Sequence, residues 1–200
     1  MLPQAPRRLF IGLLPAREVQ SRIARHAAQW HWPLEARRTR FGRYHLTLQF
    51  LGDDVRLATE SRLRAALRAV PVEPLQLVLA TPMRWKQGIA VLLPDAHDGL
   101  FALRERIAES LARCGLRQPR LAFTPHVTLA RYAYDAVPPH GAPPIDCGVS
   151  EFVLVWSRLD TRPAEYVVLE RYGATPGWTP PAATGRRGPQ GELFGDRDRS

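Results

Sequence analysis

His45-Leu46-Thr47-Leu48 and His126-Val127-Thr128-Leu129 are two copies of one tetrapeptide, each set in a short apolar run. An imidazole titrates near neutrality, so it can give or take a proton at physiological pH. A hydroxyl two residues further on can donate a hydrogen bond to a phosphoryl oxygen. Two imidazoles facing one phosphate make an acid–base pair. One is neutral and takes a proton from an attacking water; the other is protonated and delivers one to a departing oxygen. Opening a cyclic phosphodiester needs that pair, together with groups that hold the phosphoryl oxygens, a task that suits Thr47 and Thr128. This chemistry requires no metal. No third His or carboxylate stands at ligand spacing from His45 or His126.

A single His-x-Thr on a strand face carries little information. Here the tetrapeptide occurs twice, and each copy closes a strand–helix–strand block, which favours a catalytic site over coincidence. Both runs alternate polar and apolar residues, the period of a half-buried strand. His and Thr then share one face, while Leu46, Leu48, Val127 and Leu129 share the other. Arg131 follows the second copy and could neutralise phosphate. Strict alternation puts it on the face of Val127 and Leu129, so it reaches the site only if the strand bulges or ends there. Arg37, Arg38, Arg40 and Arg43 form a basic run before His45 that suits an RNA backbone or plain solvent. Tyr44, Phe123 and Tyr132 could stack a base, although core packing is the simpler reading of each. Trp85 falls in a loop with no evident task. His26, His31, His97 and His140 take no role.

The elements that must position these residues read as follows. Leu9–Leu14 is a buried strand. Pro15 suits the first turn of a helix whose apolar face is Val19, Ile23, Ala27 and Trp30. After the first histidine strand, Asp53 and Asp54 offer a cap for a helix with the stripe Leu63, Ala66, Leu67 and Val70. Leu75–Ala80 and Ile89–Leu93 read as strands. Asp98 reads as the N-cap of a third helix, with Leu100, Leu103, Ile107 and Leu111 on one face and Gly115 as its stop. The second histidine strand follows, then a Pro-rich loop over Val137–Pro144. Two last strands, Phe152–Leu159 and Glu165–Tyr172, are joined by a turn at Arg162-Pro163. Residues 174–200, rich in Gly, Pro, Arg and Asp and without periodicity, read as a disordered tail.

Composition sets wider limits. The 200 residues fit one domain, or one domain of two similar lobes. The net charge of +9 allows a polyanionic partner. Lys86 is the only lysine among the 28 basic residues, an arginine bias that need not reflect phosphate binding. Cys114 and Cys147 form no CxxC pair or ligand cluster and read as reduced thiols in the cytoplasm. Arg7-Arg8 before an apolar run faintly suggests a twin-arginine signal, but the run stops at Pro15, too short for one. No stretch approaches a membrane span.

Three segments together carry a family resemblance. They are Arg8-Leu9-Phe10-Ile11-Gly12-Leu13-Leu14-Pro15, Tyr44-His45-Leu46-Thr47-Leu48-Gln49-Phe50-Leu51-Gly52 and Phe123-Thr124-Pro125-His126-Val127-Thr128-Leu129-Ala130-Arg131. The chain resembles the two-histidine (2H) phosphoesterases, most of all the branch of RNA 2′,3′-cyclic phosphodiesterases historically called 2′-5′ RNA ligases. The resemblance runs over about residues 8–172. It departs at Tyr44, where an Asn-Leu pair is common before the first histidine.

The resemblance implies an α+β fold of two similar lobes, each an antiparallel sheet with helices on its outer face, around a central cleft. That bilobal domain would cover residues 1–173. His45 would be the proton donor to the leaving O3′ and His126 the acceptor that activates water. Thr47, Thr128 and, if it reaches, Arg131 would hold the phosphate. No cofactor and no metal are implied. The expected substrate is RNA ending in a 2′,3′-cyclic phosphate, hydrolysed to a 2′-phosphate by a monomer with no obligate protein partner and no membrane. Three alternatives stay open: end joining through a 2′-5′ linkage, action on a small cyclic nucleotide, and a non-catalytic basic RNA-binding module with structural histidines.

Overall fold

The structure, a computed structural model, describes residues 7–116, 122–158, 161 and 165–173. The chain order is β1 (Arg7–Leu13), α1 (Arg17–Ala28), β2 (Arg37–Arg38), β3 (Leu46–Val55), α2 (Leu57–Arg68), β4 (Leu75–Trp85) and β5 (Ile89–Pro94). Then come α3 (Asp98–Arg113), β6 (Val127–Arg131), β7 (Ile145–Val149), β8 (Glu151–Arg158) and β9 (Glu165–Gly173). Every strand pairing among the described residues is antiparallel.

The strands lie in the order β7-β4-β5-β6-β3-β1-β8-β9, with β2 added on β6. That order divides into two quartets of like construction. In β3-β1-β8-β9 the first histidine strand is innermost, and in β7-β4-β5-β6 the second is. Among the described residues the two quartets meet at a single residue pair, Leu46↔Val127. Beyond that pair β3 and β6 diverge, and the space between them is the cleft. The expected two lobes are therefore present, although their composition is not that of the chain's two halves. β8 and β9, from the C-terminal end, complete the lobe that β1 and β3 begin.

Alternation gives the sheet its two faces. Leu9, Ile11, Leu13, Leu46, Leu48, Val127 and Leu129 are buried in one large core. The helices supply the rest of it, through Ile23 of α1, Leu63 and Leu67 of α2, and Leu103 and Ile107 of α3. The amphipathic spacing is what makes these segments helical in context, since packing of the apolar stripe contributes more than propensity. α1 contacts β7 of the other lobe, and α2 contacts both α3 and β9, so the helices tie the lobes together from behind. The opposite sheet face carries a small cluster of Phe10, Val153 and Val155 packed by Tyr166 and Val168.

Five details differ from expectation. Pro15 lies ahead of α1, whose N-cap is Ala16. Asp53 and Asp54 do not cap α2; β3 continues through them because Val55 still pairs with Arg7, and Arg56 is the cap. Asp98 is the first residue of α3 and His97 its N-cap, which leaves the Asp98 carboxylate to favour the helix dipole. β4 runs on to Trp85 across Pro82, a proline tolerated because β7 pairs β4 only over Leu75–Leu79. β2 and β7 are strands where none was expected. The turn at Arg162-Pro163, Leu159 and the tail from residue 174 lie outside the described residues.

Candidate active site

Each histidine stands just ahead of its strand, so neither ring is part of the regular ladder. The His45 Nδ1 lies 2.8 Å from the carbonyl oxygen of Arg43, and the His126 Nδ1 lies 2.7 Å from that of Thr124. A carbonyl can only accept, so in both rings Nδ1 carries the hydrogen and donates it. Nε2 is left as the working nitrogen of each imidazole. The two contacts are equivalent, both reaching back two residues, as expected of matching segments in a two-lobed molecule.

Burial lowers the pKa of His45 below the usual imidazole value. The Arg43 carbonyl opposes that effect; the charges of His126, Arg43 and Arg131 add to it. His126 is lowered as well, by burial first, against the Thr124 carbonyl and with Arg131. Both rings therefore favour the neutral form near pH 7. A phosphate placed between them would favour protonation again.

The cleft has a volume of about 490 Å³ and is lined by His45, Thr47, His126, Thr128 and Arg131. All five expected residues thus line one space. Arg131 arrives by a bulge. Ala90 pairs with Ala130 and Val91 with Thr128, so Leu129 is the extra residue of β6. Leu129 and Ala130 are both buried in succession, and the parity of the strand flips. Arg131 is thereby delivered to the face of His126 and Thr128 rather than to the core.

The basic run before His45 forms a wall of the same cleft, lined by Arg37, Arg38, Arg40 and Arg43. It is held against β6 by the pairs Arg37↔Arg131 and Arg38↔Ala130 and by the Thr39 N–H, which donates to the Leu129 carbonyl at 2.7 Å. Arg8 adds a sixth guanidinium, and among the described residues no carboxylate lines the cleft. Nor do any three described His, Cys, Asp or Glu side chains gather closely enough to hold a metal ion.

Three aromatic residues that the sequence left without a role pack on the imidazoles. Phe10 lies 4.8 Å from the His45 ring and Tyr166 meets it edge-on at 5.2 Å. Trp85 meets His126 edge-on at 4.6 Å. The Arg43 guanidinium lies 4.2 Å over the Tyr166 ring, closing that side. Of the aromatics that sequence singled out, Tyr44 is buried in the core and Phe123 packs against it. Tyr132 is not in the core; half of it is exposed. His31 pairs its backbone with Val137, His97 caps α3, and His26 is buried on α1, none of them in the cleft.

A two-lobed sheet with paired His-x-Thr motifs across a basic cleft defines a phosphoesterase class, and comparison with known proteins agrees. The family profile described as "2′-5′ RNA ligase superfamily" matches residues 17–161. The chain is 33% identical over 176 residues to the RNA 2′,3′-cyclic phosphodiesterase of Escherichia coli K12, covering 85% of this chain and 98% of the relative. It belongs to the 2′-5′ RNA ligase superfamily, among the two-histidine phosphoesterases. The crystal structure of E. coli LigT with 3′-AMP superposes with a TM-score of 0.73 at 29% identity, over 85% of this chain and 99% of LigT. LigT with phosphate gives 0.71 at 28% identity, over 86% and 99%. TT0787 of Thermus thermophilus, at 22% identity and a TM-score of 0.61 over 83% and 97%, shares the fold.

Proposed function

We propose that the protein hydrolyses 2′,3′-cyclic phosphate ends of RNA to 2′-phosphates, with two imidazoles as acid and base and without a metal. The observation that carries this reading is the matched pair of rings, each with Nδ1 tied to a carbonyl and Nε2 free, in a cleft of arginines. The substrate is the one named for the E. coli relative.

His126 takes a proton from water through Nε2 as the water oxygen bonds to phosphorus. His45, protonated once the anionic phosphate is bound, gives its Nε2 proton to O3′ as the P–O3′ bond breaks. The 2′ ester bond remains, so the product is a 2′-phosphate with a free 3′-hydroxyl. A further proton exchange with water resets the pair. Thr47, Thr128 and Arg131 bind the phosphoryl oxygens and stabilise charge that grows in the transition state. Each proton transfer contributes about 10²–10⁴-fold, with the remainder from orientation and charge stabilisation. The donor set supports metal independence, since six guanidiniums and no described carboxylate make a poor divalent-cation site. Residues 1–173 act as one unit, as a monomer, and the unpaired thiols of Cys114 and Cys147 suit a reducing cytoplasm.

The test is a short RNA ending in a 2′,3′-cyclic phosphate, incubated with the protein in EDTA, with the phosphate isomer of the product identified. A 2′-phosphate formed at a rate insensitive to EDTA is the expected result. A 3′-phosphate, or activity abolished by EDTA and restored by a divalent cation, refutes the mechanism.

A further inference from the structure

Tyr132 has φ of +55°, in the left-handed region that a bulky side chain rarely occupies. Glycine or asparagine would meet that backbone at lower cost. The conformation is imposed by its neighbours. Arg131 turns to the cleft, while Ala133 is fully buried and its N–H donates to the Gly88 carbonyl at 2.8 Å. Tyr132 is forced outward between them and is 50% exposed. A half-exposed aromatic held at a strained backbone position beside the cleft is a candidate for a binding role, because strain of this kind clusters at ligand sites.

The ring faces Arg37, whose guanidinium lies 4.9 Å from its centroid. Arg37 lines the cleft and pairs through its backbone with Arg131. A continuous surface therefore leads from His126 and Thr128, over Arg131 and Arg37, to the Tyr132 ring. Its alternation of cation and π-face matches the alternation of phosphate and base along a single strand of RNA. Aromatic faces accept any base, because every base has a π-face.

We propose that Arg37 and Tyr132 form a subsite for the nucleotide on the 5′ side of the reacting end. Tyr132 stacks its base and Arg37 neutralises the linking phosphate. The subsite makes the protein an enzyme of RNA chains in preference to cyclic mononucleotides. It rests on the phosphodiesterase reading above.

The test compares kcat/KM on adenosine 2′,3′-cyclic phosphate with that on a triadenylate ending in the same group. Wild type, Tyr132→Gly, Tyr132→Asn and Tyr132→Trp are measured. Glycine and asparagine keep the left-handed backbone without the ring; tryptophan keeps a stacking face. The trinucleotide-to-mononucleotide ratio falls about tenfold in Tyr132→Gly and Tyr132→Asn, the size of one base–aromatic stack, and is kept in Tyr132→Trp. A ratio unchanged in the glycine and asparagine variants overturns the subsite and leaves the activity standing. A wild type that turns over neither substrate overturns the activity itself, and the subsite with it.

Discussion

A carbonyl two residues upstream orients each imidazole, and burial with nearby guanidiniums lowers its pKa. The pH dependence follows with a definite sign. In the free protein both histidines sit below the ordinary value of about 6.5. Productive binding needs one neutral ring and one protonated ring, so kcat/KM falls once pH passes the higher of the two lowered pKa values. Its alkaline limb is therefore expected below about 6.5 in a pH–rate profile. Bound phosphate favours protonation, so the same limb in kcat lies at higher pH. Arg131→Ala removes a charge that lowers both rings and moves the kcat/KM limb upward. A kcat/KM limb above the ordinary imidazole value would show that burial does not govern the pair.

The placement of His45, Thr47, His126 and Thr128 on one face could be read directly, because alternation within a strand is a local property. Arg131 could not be placed. Its arrival depends on the bulge at Leu129, and Leu-Ala carries no bulge signal of its own. Phe10, Trp85 and Tyr166 were missed for a different reason. Each packs on its histidine from a separate strand, and no spacing along the chain links them.

Among the elements, β1 carries a tight backbone constraint. Gly12 pairs with Thr47, and a Cβ there would come within 2.8 Å of the Leu46 carbonyl oxygen and 3.3 Å of the Phe10 ring. The obstacle is backbone next to His45, so it cannot swing aside. Gly12→Ala is expected to destabilise the fold by about 1–3 kcal/mol, typical of overpacking, and to lower activity further by moving Leu46 and Phe10. Urea unfolding together with turnover of the folded variant measures both. A variant with wild-type stability would mean that β1 and β3 separate at little cost.

The three helices were legible from their apolar spacing, and their starts were not. Asp53 and Asp54 look like caps, yet cross-strand pairing with β1 holds them in β3. β7 was hidden because it is five residues long, contains Gly148 and follows prolines. Its burial of Ile145 and Cys147 becomes visible only when β4 is beside it.

At the scale of the molecule, order along the chain suggested two equivalent halves, and space rearranges them. β8 and β9 cross to the N-terminal lobe, which repeats the strand–helix–strand theme with partners drawn from both ends. A short sequence repeat cannot report such a crossing, because any pairing of the later strands would satisfy it. Six arginines surround one cleft: Arg8, Arg37, Arg38, Arg40, Arg43 and Arg131. RNA binding should release counterions, so KM for an oligonucleotide should rise with salt, by a log–log slope of about 0.7 per phosphate contacted. The slope should be shallower for a cyclic mononucleotide, and kcat should move little. Equal slopes for both would mean that the arginine wall does not touch the chain beyond its end.

The paired-imidazole mechanism is tested by single-turnover hydrolysis of an RNA 2′,3′-cyclic phosphate by wild type, His45→Ala and His126→Ala, with folding checked by circular dichroism. Each variant is expected to keep its fold and to lose about 10²–10⁴-fold in rate, the share of one proton transfer. A folded variant of either kind that reacts within about tenfold of wild type would fall short of that share and contradict the paired-imidazole mechanism.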